Sequence, residues 1–165
     1  MTFGSSFGQT YFISLFSAQV RTDLNLSHGD FGSIYSLATL FSSITLIWIG
    51  RKIDQINLQW FCFFSIGGLA IACAIMAKAE TILVMVLAIY ALRLTGQGLM
   101  WHAAATSMAR YFEKNRGLAL SISSAGLPAG EAILPFVTVS LLAIMNWREV
   151  WIFVSLAVGI ILSII

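Results

Sequence analysis

Residues 82–109 read ILVMVLAIYALRLTGQGLMWHAAATSMA, the charged turn RYFEKNR follows at 110–116, and residues 117–145 read GLALSISSAGLPAGEAILPFVTVSLLAIM. Each apolar run exceeds the ~20 residues that cross the hydrocarbon of a bilayer. Each also carries one formal charge far from its ends, Arg93 in the first and Glu131 in the second. A charge at such depth is costly, so it faces a bundle interior or a wet cavity and marks a path for substrate or protons. The short turn makes the two runs antiparallel, so their depths can be compared. At about 1.5 Å per residue, Arg93 lies roughly 16 Å from the Ile82 end and Glu131 roughly 21 Å from the Met145 end on the same side. The offset is about one helical turn, within reach of an Arg side chain. The expectation is that the two residues meet, or alternate with a ligand, inside a polyhelical bundle.

The composition agrees with that reading. Of 165 residues, 59% are hydrophobic and only 10% charged, whereas a soluble domain is about a quarter charged. Six apolar segments follow one another at 3–20, 31–50, 58–77, 82–109, 117–145 and 150–165, so the fold class is all-α and membrane-embedded, with the lipid bilayer as the principal partner. Net charge is +2, spread over loops, which excludes nucleic acid as a partner. Cys62 and Cys73 stand roughly 16 Å apart along one helix, too far to bridge and unlike a metal-ligand pair. They read as small hydrophobes, and no metal or other cofactor is expected.

Polar residues within the segments single out candidate functions. Ser6, Thr10, Ser14 and Ser17 recur at helical spacing above Arg21 and form one stripe toward a cavity or a neighbouring helix. Gly4-Ser5-Ser6-Phe7-Gly8 matches G-x-S-x-G, but no strand precedes it and no triad follows, so the chain is not read as an enzyme. Ser27-x-x-Asp30 is a capping signal for the second segment. Gln97 lies one turn after Arg93 on the same face, and Gly96 and Gly98 give room for close approach. His102, nine residues on, falls about half a turn away from that face in a regular α-helix and is expected outside the Arg93 site. In the fifth segment Gly126, Pro128, Gly130 and Pro135 surround Glu131, and two prolines within a spanning helix bend it and free carbonyls, as in the broken helices that line transport sites. A guanidinium offers bidentate bonds to a carboxylate, whether Glu131 or an anionic substrate. Substrate-binding or proton-coupling candidates are therefore Arg93, Glu131, Gln97, Thr10 and Ser14.

Loops two and four carry Arg51, Lys52, Arg110, Lys114 and Arg116, against Arg21, Lys78 and Arg148 in loops one, three and five. The bias places loops two and four, and the N-terminus, in the cytoplasm, with the plasma (inner) membrane as the expected location. Trp60, Trp147 and Trp151 lie near segment ends, where interfacial aromatics belong. No charged n-region with a cleavage site precedes the first segment, so no removed signal peptide is expected.

Taken together, these motifs resemble the N-terminal half of a major facilitator superfamily transporter. Gly50-x-x-x-Asp54-x-x-Asn57 is similar to the superfamily's gating loop between helices two and three, with Gly50 and Asp54 matching, Asn57 in place of a glycine, and Leu58 and Gln59 where basic residues are usual. Arg93-Leu94-Thr95-Gly96-Gln97-Gly98 resembles its helix-four signature, and Arg110-Tyr111-Phe112 to Asn115-Arg116-Gly117 is similar to the monocarboxylate and oxalate/formate branch. The resemblance implies six transmembrane helices forming one half of a twelve-helix fold, with the site between halves and alternating access by rocking. It implies a secondary transporter of small organic solutes, carboxylates among them. Glu131 is read as carrying or gating a proton, because low dielectric raises the pKa of an unpaired carboxyl and a neighbouring guanidinium lowers it. The apolar run to Ile165 leads to the expectation of a fragment whose C-terminal six-helix half is absent. The rival reading is a non-transporting membrane scaffold or assembly subunit, for which small-residue helices suffice.

Overall fold

In the computed structural model, which describes residues 1–164, the chain is helical throughout and folds back on itself at each loop. We label its segments α1 (residues 2–23), α2 (His28–Gly50), α3 (Leu58–Ala77), α4 (Ile82–Tyr111), α5 (Arg116–Leu142) and α6 (Trp147–Ile164). Among the described residues, four helices, spanning His28–Asp54, Leu58–Ala77, Ile82–Tyr111 and Arg116–Leu142, are long and apolar enough to cross a membrane by length and composition. The boundaries follow local chemistry. Ser27 and Asp30 form a reciprocal capping box at the start of α2, three residues earlier than the apolar pattern starts at 31. Asn57 and Thr81 cap α3 and α4 through their side chains.

Three expectations for single continuous helices fail, the third at Ala125, which separates Arg116–Ser124 from Gly126–Leu142 within α5. The first segment is broken into Thr2–Ser5, a 3-10 turn at Ser6–Gly8, Thr10–Ser14 and Ser17–Asp23. The break falls at Gln9, whose backbone is extended (φ −82°, ψ 154°). It leaves the preceding carbonyls without helical donors, which another element must supply. The second departure is in α4, where Arg93–Met100 is wound as a π-helix between α-helical stretches Ile82–Leu92 and Trp101–Tyr111. At the C-terminal end, Ile165 of the expected 150–165 segment lies outside the described residues.

The bundle is held at its centre by α3 and α4. About half of the most apolar window of α4 is buried, against about a tenth in α2. The remaining apolar side chains, such as Phe41 at 59% exposure and Phe136 at 77%, face outward, which costs nothing in hydrocarbon. Along its length α6 packs on α3, and Ser155 donates to the Ala70 carbonyl at 2.7 Å. Trp151, expected at an interface, is fully buried instead. Its indole meets Phe12 edge-on at 5.4 Å and Phe16 at 4.9 Å, so it fastens α6 to α1 rather than to the headgroup layer.

Candidate functional site

The site is organised by the break in α1. Gly8 lies directly against Gly96: a Cβ on Gly8 would sit 2.3 Å from the Leu92 carbonyl oxygen and 2.7 Å from the Gln97 nitrogen. Only two glycines allow backbones to cross this closely. That approach brings the carbonyl freed by the break within reach of Arg93. Its Nη1 donates to the Gly8 carbonyl at 3.3 Å and to the Thr10 hydroxyl at 3.1 Å. Tyr35 of α2 also donates to Thr10, at 2.9 Å, and its ring lies under the guanidinium at 5.6 Å. One guanidinium thus ties α1, α2 and α4 together through a carbonyl, a hydroxyl and a cation–π contact. It remains a cation with capacity to spare. Arg93 is 9% exposed, and its Nε–H is buried with no protein acceptor among the described residues.

Beside Arg93 lies a cavity of about 560 Å³ between α2 and α4, lined by Arg93, Gln97, Trp101, His102, Ser42 and Gly50 and bordered by Arg51 and Asp54. Gln97 joins Arg93 here as its spacing predicts. The placement of His102 corrects the sequence reading. With i→i+5 bonding, eight π-helical residues lag a regular helix by on the order of 100°, which swings His102 from the far side of α4 into the same cavity. The ring lies beside Gly50, where an added Cβ would be 3.7 Å from it, and edge-on to Phe61 with centroids 6.5 Å apart. The signal in the sequence is the pair Gly96 and Gly98, which loosens the helix; nothing local specifies the winding. Tyr35 and Gly8 carry no such signal, since their roles exist only across helices.

Glu131 lies elsewhere. Arg93 and Glu131 form no ion pair among the described residues; Glu131 is exposed and couples electrostatically to the Tyr11 phenol. The reason is α1, which runs between them. Gly130 packs against Ser6, a Cβ there falling 2.1 Å from the Ser6 Oγ and 3.1 Å from the Tyr11 hydroxyl, and Gly126 packs on Thr2 and Phe3. Gly126 and Gly130, expected to bend α5, are thus the surface on which α1 rests. Pro128 falls in the first turn after the interruption of α5 at Ala125, where its missing N–H would otherwise be needed by the preceding turn, and Pro135 is inside Gly126–Leu142. Of the α1 stripe, Thr10 reaches Arg93, whereas exposed Ser14 turns back to the Tyr11 carbonyl at 2.8 Å.

Two ion-paired clamps close the ends. Arg110, at the end of α4, reaches Asp54 and the Ile53 carbonyl, both at 3.1 Å, so Gly50 and Asp54 sit where loops two and four meet. At the other end Arg148 pairs with Asp23 and donates to the Ala79 carbonyl at 3.2 Å, while the Trp147 indole donates to Asp23 at 3.0 Å. Loops one, three and five therefore share one end. The hydrogen bond from Arg148, then that from Trp147, holds the Asp23 carboxyl below its ordinary value of 3.8. A depressed folded value means the clamp is at full strength above about pH 4 and is lost as pH falls through the folded value. Asp23 is largely exposed, so the contribution stays under about 1 kcal/mol and fades with salt. Wild type should therefore melt slightly above Asp23→Asn at neutral pH and low salt, and the two curves should merge in acid or in high salt.

A helical bundle with apolar outer faces, and with a buried cation beside an open cavity, defines a polytopic integral membrane protein. The match to known families sharpens this. Over residues 1–165 the chain matches the model of the Major Facilitator Superfamily, and it belongs to that superfamily of membrane transporters. Neither a curated protein nor a solved structure matches it.

Proposed function

We propose that the protein is a secondary transporter of small organic anions, carboxylates foremost, working by alternating access. The observation that carries this is Arg93, a buried guanidinium bordering a cavity, with an N–H left for a ligand after its structural partners are served. A carboxylate is the group whose geometry it fits. In this reading the six segments all span the plasma membrane with the N-terminus cytoplasmic, so that the cavity reaches toward the cytoplasmic clamp of Asp54 and Arg110. A second six-helix half supplies the facing wall, and the likeness of the helix-four and loop-four stretches supports the monocarboxylate or oxalate/formate branch as the reading.

Glu131 carries the proton in this scheme, and does so without pairing directly with Arg93. The two groups flank the same broken helix, Arg93 through Gly8 and Thr10, Glu131 beside Tyr11, so α1 is the element through which one can affect the other. The test is uptake of labelled carboxylate by the intact transporter at several pH values. Arg93→Ala is expected to abolish uptake per unit of folded membrane protein, and Glu131→Gln to flatten its pH dependence. Wild-type-like uptake by Arg93→Ala would remove the basis of the proposal, and an unchanged pH profile in Glu131→Gln would remove the proton role alone.

A further inference from the structure

We propose that His102 is the second anchor of the cavity and sets its preference for dicarboxylates over monocarboxylates; this rests on Arg93 as the anion-binding group. A cavity of about 560 Å³ is far larger than one small carboxylate requires, and its chemistry is not confined to the Arg93 end. His102 stands further along the same wall because the π-helix turns it there.

The charged groups facing His102 leave it room to act. On the turn after α2, the carboxylate of Asp54 is paired with Arg110, and Arg51 lies over the Trp48 ring at 5.9 Å. On α2 the imidazole lies beside Gly50, which carries no charge, and on α3 it forms a T-shaped pair with Phe61. On its own helix the charged neighbour in the cavity is Arg93. The Ser42 and Ser43 hydroxyls are both turned to the Thr39 carbonyl, and neither competes for a ligand. Among the described residues, the one carboxylate that lines the cavity, Asp54, is engaged by Arg110. An imidazolium donates from both ring nitrogens, and a second carboxylate gains a charge-assisted bond that a methyl group does not.

A guanidinium keeps its charge across the working pH range and an imidazole is the ordinary side chain that need not, so pH separates a preference set by His102 from one set by Arg51. The experiment is calorimetric titration of the purified protein in lipid nanodiscs with succinate and with butyrate, four-carbon acids that differ by one carboxylate. The ratio of their affinities should rise about fivefold in favour of succinate between pH ~8 and pH ~6.5. His102→Gln should make the ratio independent of pH, and His102→Lys, a permanent cation, should hold it high at both values. A pH-independent ratio in the wild type, or a pH-dependent one in His102→Gln, overturns the role of His102. Butyrate binding that survives Arg93→Gln overturns the anion site itself, and failure of both probes to bind the wild type overturns both.

Discussion

Substituting valine for Gly8 or for Gly96 is expected to prevent the bundle from closing, at a cost of at least about 3 kcal/mol. A Cβ at position 8 would be 2.3 Å from the Leu92 carbonyl oxygen, and one at position 96 would be 2.7 Å from the Gly8 Cα. In both cases the obstructing atoms are backbone, so no rotamer change relieves the clash. Separating α1 from α4 would also withdraw the Gly8 carbonyl and Thr10 from Arg93, so stability and ligand binding should fall together. Even alanine should be poorly tolerated at these two positions. Gly32→Ala is the control: its Cβ meets nothing within 4 Å, and within α2 alanine should stabilise by about 0.5–1 kcal/mol. Thermal unfolding of the detergent-solubilised proteins, followed by size exclusion, measures both. Normal melting of Gly96→Val would mean that α1 and α4 do not cross as described.

Arg93→Lys, a change that keeps the charge, should weaken carboxylate binding on the order of 100-fold, or about 2–3 kcal/mol. In the proposed reading the guanidinium has two jobs in different directions. Its Nη1 serves Gly8 and Thr10, its face covers Tyr35, and its remaining edge is left for a ligand. A lysine ammonium is a single donor centre on an unforked stem. Set against α1 it leaves the ligand, and set toward the cavity it leaves the Gly8 carbonyl unsatisfied where water is scarce. The loss in binding should therefore come with a lower melting temperature, smaller than the one for Arg93→Ala. Equal affinity in Arg93→Lys, by titration with butyrate, would show that the bidentate edge plays no part.

Much of the architecture is legible in the residue order. The bounds of α3 at Leu58–Ala77 follow from an apolar run between Asn57 and Lys78, and the Ser27 and Asp30 capping box from its spacing. The position of Arg93 in an apolar run is enough to single it out, because a charge there needs a reason whatever surrounds it. Gln97 can be placed beside it from its spacing alone. The partners of Arg93 cannot be read in the same way: alignment by depth suggests Glu131, and α1 stands in between. His102 falls on the wrong face when a uniform 100° per residue is carried through a stretch that is wound more loosely.

The division has a single physical cause. Hydropathy, capping and charge spacing report energies that depend on neighbours within a few positions, so residue order alone specifies a helical membrane protein, where most of its helices run, and the anomaly of a charge at Arg93. The break at Gln9, the π-winding of Arg93–Met100 and the choice of Thr10, Tyr35 and the Gly8 carbonyl as partners are settled by packing between helices. They arise where Gly8 and Gly96, 88 positions apart, let two backbones touch, and the energy of that contact belongs to neither segment alone.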